Sequence, residues 1–432
     1  MDALPAIPEG TFDDIRNAVA PVAEPMHAAG HHLYLVGGLV RDRLLGDDRT
    51  PDHDLTTDAT PDRIRELVAE VADAMWLQGE RFGTVGLRVG DVTMEVTTHR
   101  AEAYVSDSRK PVVRFSSELV EDLARRDFTV NAMAVDVADG TLHDPFSGRA
   151  DLVARVLRTP LDPVESFSDD PLRMLRAARF LSRYGLTPAD GLVDAARALV
   201  DRLEIVSAER IRDELFRLLQ VEDPTGGFAL LDDMGLLRVV LPEVAALTPS
   251  ARAAVERRVA AADPGDPVFR LGLLVHGAGG RESLGGWGNA LRLSGRDVDR
   301  LGILLDGAEM LAGSTSSGSS PEESPSDERV RRLAARAGDR LDEVLAFAAL
   351  IGIGPDRAAL ESVVVRLRGS GELDDLGPGM NGAAVMKLLN LEAGPGVGEV
   401  MSWLRELRLT EGRLDEDEVR RRLLDRWGTA SG

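Results

Sequence analysis

The chain has 432 residues, 44% hydrophobic and 29% charged, which excludes wholesale disorder and, at roughly 100–200 residues per domain, suggests several domains. It contains no cysteine, so disulfide scaffolds, Cys-ligated zinc and cysteine nucleophiles are all excluded. A net charge of −22 argues against a polycation that coats nucleic acid.

The opening MDALPAIPEGTFDD has neither a basic n-region nor an apolar h-region, and no apolar run approaches the roughly 18 residues that span a bilayer. A soluble, cytoplasmic protein is expected. Residues 33–38 form a short apolar run closing on a glycine pair, the pattern of a buried strand and turn, and residues 40–45 follow as a helical turn. Residues 51–57 alternate as a strand. Thr60-Pro61 then starts a helix through residue 71, with Ile64, Leu67, Val68 and Val71 on one face. Residues 84–89 and 92–97 read as a hairpin turning at Gly90-Asp91. This order predicts a small mixed sheet with helices on one face.

From about residue 151 strands give way to helical periodicity. One helix is predicted over 169–184, with Pro171 in its first turn and Gly185 at its stop. Another runs over 208–219, capped by Ser207, with Ile211, Leu215 and Leu218 in one stripe. Residues 312–327, rich in Gly, Ser, Pro and acid, read as a flexible linker before further helices. The expected division is a head at 1–150, a neck at 151–222, a body at 223–311, the linker, and a tail at 328–432.

Four segments carry candidate chemistry. Asp52 and Asp54 alternate within a strand, so both carboxylates point to one side and could share a cation; an acidic pair on a solvated turn would look the same. Gly37-Gly38, followed by Arg41, fits a turn whose backbone N–H groups approach a triphosphate, although a glycine pair also makes an ordinary tight turn. Arg126, Asp127 and Asn131 gather cation, acid and amide within a few residues, as an ion-paired helix end would too. Asp170, Arg173, Arg176 and Arg179 recur every three residues, placing Asp170 beside Arg173 at the head of a slanting basic stripe; a solvated charged face is the plainer alternative. Lysine occurs only at positions 110 and 387, which leaves such contacts to arginine. Glu95, on the hairpin, is a candidate third carboxylate or a surface glutamate.

In this order and spacing the four segments resemble the bacterial-type (class II) tRNA nucleotidyltransferases and their poly(A) polymerase relatives, strongly over residues 30–220. The resemblance implies an α+β chain: a polymerase-beta-like head followed by an all-α neck, body and tail that hold the acceptor arm of tRNA. It implies that Gly38 and Arg41 hold the triphosphate, that Asp52 and Asp54 bind Mg²⁺, that Arg126 contacts the nucleotide and Asp127 its ribose, and that Asn131 belongs to the same nucleotide site. Asp170 and Arg173 would read the base, with Arg176 and Arg179 aiding nucleotide binding. The implied reaction is template-independent addition of CCA to tRNA from CTP and ATP; A-only or poly(A) addition, and an inactive RNA-binding protein, are the alternatives. Cytosine and adenine both offer an amine beside a ring acceptor, which an Asp–Arg pair matches and guanine or uracil does not. Residues 104–115 resemble the family's flexible loop. A His-Asp metal motif of many relatives survives only as His276-Gly277, so no phosphohydrolase activity is expected.

Overall fold

The computed structural model describes residues 6–47, 53–76, 83–103, 112–312, 326–354 and 356–428. Asp52, residues 104–111 of the predicted flexible loop and residues 313–325 of the predicted linker lie outside the described residues. The chain divides into two compact units, Met1–Ala246 and Leu247–Gly432.

The first unit begins with α1 (Asp13–Ala28), β1 (Leu33–Val36), α2 (Gly38–Leu44), β2 (His53–Thr57), α3 (Pro61–Val68) and β3 (Ala74–Trp76). The hairpin strands β4 (Thr84–Val89) and β5 (Val92–Thr98) follow, then β6 (Arg100–Ala103) and β7 (Val112–Phe115), which pair with each other in a separate two-stranded sheet. After α4 (Leu119–Ala124) come β8 (Ala134–Asp136) and β9 (Leu142–His143). The main sheet runs β3-β4-β5-β2-β1-β8-β9, antiparallel throughout except that β2 and β5 are parallel. It is mixed, as predicted. The helix after Thr60-Pro61 stops at Val68 rather than residue 71, and only Ile64 and Val68 of its four apolar residues are buried.

Strand alternation sorts the two faces. Leu35, Leu55, Val96 and Val85 stand in register across four strands and are buried, and α1 and α3 pack on these strands. The other face is not bare, contrary to the one-sided prediction. There Tyr34, Val36 and Ala134 meet Leu123 of α4 in a small second core. Beyond that core the face carries Asp54 and Glu95, both exposed.

The helical continuation comprises α5 (Gly148–Ala154), a two-residue strand β10 (Val156–Leu157), α6 (Pro163–Asp169), α7 (Leu172–Tyr184), β11 (Thr187–Pro188), α8 (Leu192–Ala198), α9 (Ala208–Leu219) and α10 (Thr225–Asp233). The parallel pair β10–β11 corrects the expectation that strands end at residue 151. The predicted helix over 169–184 is also two helices. Asp170 precedes a proline, which disfavours helical backbone, and adopts φ −135°, ψ 99° between α6 and α7. Gly185 closes α7 with φ +61°, as the stop signal requires.

α5 docks on the turn that carries Asn131. A Cβ at Gly148 would stand 2.0 Å from the Thr129 carbonyl oxygen, while Thr129 Oγ1 donates to Asp151 at 2.8 Å. Gly148→Ala is therefore expected to destabilise the protein by ~1–3 kcal/mol through overpacking, read as a lowered thermal midpoint.

The unit closes with the short helices α11 (Leu237–Val240) and α12 (Pro242–Ala245). The second unit is helical among its described residues, starting with α13 (Pro249–Ala261) and α14 (Pro267–Gly277). A Cβ at Gly277 would lie 2.2 Å from Val255 Cγ2, so close packing of α13 on α14 requires glycine where a His-Asp motif needs aspartate. No helix among the described residues is long and apolar enough to cross a membrane.

Candidate active site

Parallel pairing of β2 with β5 sets Asp54 directly opposite Glu95. Register partners point to the same face, so the two carboxylates are side by side on the exposed part of the sheet. His53 pairs with Met94 and belongs to the other face. The two hard, adjacent oxygen donors suit a divalent cation. Behind them, Thr56 Oγ1 and His99 Nδ1 share a 2.9 Å hydrogen bond, and burial pushes the His99 ring below its usual value, leaving it neutral near pH 7.

On the side of β2 away from Glu95, β1 ends in the Gly37-Gly38 turn. Gly37 has φ +71°, which glycine adopts without strain. Arg126 lies over this turn: a Cβ at Gly37 would stand 3.0 Å from its Nη1. Arg126 Nη2 donates to Asp122 at 3.0 Å, whereas its buried Nε has no hydrogen-bond partner among the described residues. A glycine turn beneath a cation with an unused N–H is a built acceptor for an anion.

Arg41 occupies a different position from the one its sequence pattern suggests. It is 5% exposed; Nε donates to Asp42 at 2.8 Å, Nη1 donates to Asn131 Oδ1, and the guanidinium lies 4.3 Å from the Tyr184 ring centroid. It thereby joins α2 to α7. Asn131 in turn donates through Nδ2 to Asp127 Oδ1 at 2.8 Å.

Asp127 is the hub. Its Oδ2 accepts from Arg176 Nε at 2.9 Å and Nη2 at 2.5 Å, and its Oδ1 also accepts from the Phe128 backbone N–H at 2.8 Å. Burial alone would raise this carboxyl, but Arg176 and Asn131 outweigh it and hold the group at about 2. The ladder continues along α7: Arg179 Nε donates to Glu214 of α9, and Arg176 Nη1 lies 4.0 Å from the same carboxylate. Glu214 is 2% exposed, and its Oε2 has no hydrogen-bond partner among the described residues. The basic stripe is thus a buried, acid-paired seam joining sheet turn, α7 and α9, not a solvated face.

Asp170 and Arg173 do not pair through their side chains. Asp170, extended before Pro171, caps Leu172 N–H with Oδ1 at 3.2 Å and accepts from Arg210 at 2.9 Å through Oδ2. Arg173, 8% exposed, donates from Nη1 to Ser166 Oγ at 2.8 Å and from Nη2 to the Arg125 carbonyl. The i,i+3 argument fails because it presumes helix at residue 170.

Sequence reasoning missed Glu214. Its signal is a carboxylate set among Ile211, Leu215 and Leu218 at helical spacing, which places a charge in the buried stripe. It also left Glu95 open between two roles; a strand's partner, not its own alternation, sets this side chain beside Asp54.

A carboxylate pair on a mixed sheet, next to a glycine turn under arginine, sets a place for a divalent cation beside a place for an anion, the combination a nucleotide-transferring head requires. Residues 33–158 match the family model described as the poly A polymerase head domain, and residues 185–248 match that of a "probable RNA and SrmB- binding site of polymerase A". Over these two stretches the chain resembles the poly(A) polymerase-type nucleotidyltransferases. It is similar to the CCA-adding enzyme of Levilactobacillus brevis, 40% identical over 217 residues covering 50% of this chain and 53% of that one. The Bacillus subtilis CCA-adding enzyme is 43% identical over 202 residues, covering 46% and 49%. The chain thus spans about half the length of the curated relatives it matches. The crystal structure of the Bacillus stearothermophilus CCA-adding enzyme in complex with CTP superposes with a TM-score of 0.74 at 28% identity, covering 97% of this chain and 98% of that one. A Thermotoga maritima CCA-adding enzyme, solved with tRNA_CCA, shares the fold at 20% identity and a TM-score of 0.65, with 97% and 96% covered.

Proposed function

We propose that this protein adds CCA to the 3′ end of tRNA from CTP and ATP in the cytoplasm, without a nucleic-acid template, releasing pyrophosphate. The observation that carries the reading is the Asp54–Glu95 row standing beside the Gly37–Arg126 anion turn. The likeness to the CTP complex of the Bacillus stearothermophilus enzyme over almost the whole chain supports the same reading.

In this reading Gly37, Gly38 and Arg126 bind the triphosphate, with Arg41 as the cation behind them. Asp54 and Glu95, with Asp52, hold Mg²⁺. A divalent ion there supplies charge stabilisation to the reacting oxygens and makes the RNA hydroxyl more acidic. Asp127 anchors Arg176, and Glu214 anchors Arg179, which orients α7 toward the nucleotide. Asp170, between α6 and α7, and Arg173, in the first turn of α7, would supply the acceptor and donors that select cytosine and adenine by exchanging partners, Arg210 for Asp170 and Ser166 for Arg173. Residues 151–222 serve as the neck, 223–311 as the body and 328–432 as the tail, the latter two for tRNA.

The test is extension of tRNA lacking its CCA end by each nucleotide separately and in combination. CTP alone should add two residues, ATP should then add one, and addition should stop. Unlimited growth on ATP alone would mark a poly(A) polymerase, and A addition only to CC-ended tRNA would mark an A-adding enzyme. Arg173→Ala is expected to relax rejection of GTP and UTP by roughly tenfold, because an unpaired buried polar group costs about 1–3 kcal/mol. The ratio of correct to incorrect incorporation within one preparation measures this independently of the folded fraction. An unchanged ratio would remove Arg173 from base selection.

A further inference from the structure

The carboxylate row does not end at Glu95. In register, Asp54 of β2 pairs with Glu95 of β5, Glu95 with Gly86 of β4, and Gly86 with Trp76 of β3. All four positions share one face. A Cβ at Gly86 would stand 2.1 Å from the Trp76 indole nitrogen and 2.2 Å from Cε2, so the indole occupies the space above the glycine. Trp76 itself is half-buried, on the edge strand of the sheet. Glycine inside a strand gives up packing and entropy, and it often marks a close approach. Here that glycine lets an indole reach over β4 toward the carboxylates.

We propose that Trp76 is the stacking platform for the terminal base of the RNA that receives the nucleotide. The inference rests on the transfer reaction proposed above and adds to it the seat of the second substrate. In-line displacement requires the attacking hydroxyl and the leaving pyrophosphate on opposite sides of the reacting phosphorus. The Gly37–Arg126 turn, and with it the triphosphate, lies on the β1 side of Asp54. The attacking strand therefore arrives over the β5-β4-β3 side, where Trp76 is the aromatic surface in the row. Stacking also suits the task, because the terminal base of the acceptor changes with every addition. Every base has a π-face, so an indole holds each of them where hydrogen-bond readout would hold only one. Trp76 is a positioning residue in this scheme; it moves no proton and binds no phosphate.

The experiment uses the full-length protein with an acceptor-stem RNA hairpin ending in CC. Trp76→Ala is expected to raise the KM for this RNA roughly tenfold or more, the range of losing one base stack, with the KM for ATP within twofold of the parent. Trp76→Phe should restore most of the loss. Gly86→Ala should reproduce the Trp76→Ala effect with the indole still present, because its Cβ takes the space of the ring. Equilibrium binding of the same hairpin is measured in parallel, so the result stands even without turnover. A parent protein that binds the RNA but transfers nothing would overturn the function proposed above. Trp76→Ala with unchanged affinity and KM for RNA, or with equal loss toward RNA and ATP, would overturn the stacking role itself.

Discussion

Asp54→Ala is expected to lower nucleotide addition by at least about a thousandfold, while the fold and tRNA binding stay close to those of the parent. Asp54 is exposed on β2, and surface substitutions generally change stability by no more than ~0.5 kcal/mol. The large effect comes from charge. Loss of a single electrostatic stabiliser in a preorganised site costs about 10²–10³ in rate, and a carboxylate that holds a divalent ion contributes more than a neutral donor. Glu95, its register partner, would then be left to hold the ion without its neighbour. Single-turnover extension of CC-ended tRNA, with a gel-shift measurement of tRNA binding, separates the two quantities. Turnover within tenfold of the parent would remove Asp54 from the cation site.

The second large effect concerns stability. Asp127→Ala is expected to destabilise the Met1–Ala246 unit by about 3–5 kcal/mol, because it leaves the half-buried Arg176 without the carboxylate oxygen that accepts two of its N–H groups and Asn131 without an acceptor. Urea unfolding followed by far-UV circular dichroism measures it. The pH dependence has a definite sign. The Asp127 carboxyl is depressed from 3.8 to about 2 in the folded protein, so its contribution is present above the unfolded value and is lost as pH falls from about 4 through about 2. That shift corresponds to roughly 2 kcal/mol. The parent should therefore lose more stability than Asp127→Asn between pH 4 and 2, and the two should run parallel above pH 5. Parallel curves across the acid range would refute the assignment.

The ladder from Arg41 through Asn131, Asp127 and Arg176 to Glu214 explains why these charges are buried rather than solvated. Each arginine faces an oxygen, so the low-dielectric seam contains few uncompensated charges. Glu214 Oε2 is compensated by charge alone, flanked by Arg176 at 4.0 Å and Arg217 at 3.7 Å with no hydrogen bond among the described residues. Arg176 therefore answers to two acids, and its charge is held firmly: burial opposes it, while Asp127 and Glu214 raise its affinity for the proton.

Much of this was legible in the residues alone. A short apolar run marked β1, alternation marked β2 and a glycine turn marked the β4–β5 hairpin, glycine placed the turns at residues 37 and 90, and Ser207 with its apolar stripe marked α9. These rules are short-ranged, resting on backbone sterics and on periods of 2 and 3.6 residues, and they act before any long-range contact forms. The break before Pro171 was legible too, through the restriction on the residue preceding proline, although periodicity across Asp170 obscured it.

Tertiary structure decided the pairings. That Glu95 stands beside Asp54 follows from a parallel alignment of strands about forty residues apart, and that Gly86 and Trp76 extend the row follows from two further registers. That Arg41 and Arg173 are buried and engaged by protein partners, whereas Arg126 keeps over Gly37 an N–H with no partner among the described residues, depends on which helices close over them. No local rule chooses among some fifty arginine and lysine side chains and the more numerous acids they could meet; desolvation in one particular packed arrangement does.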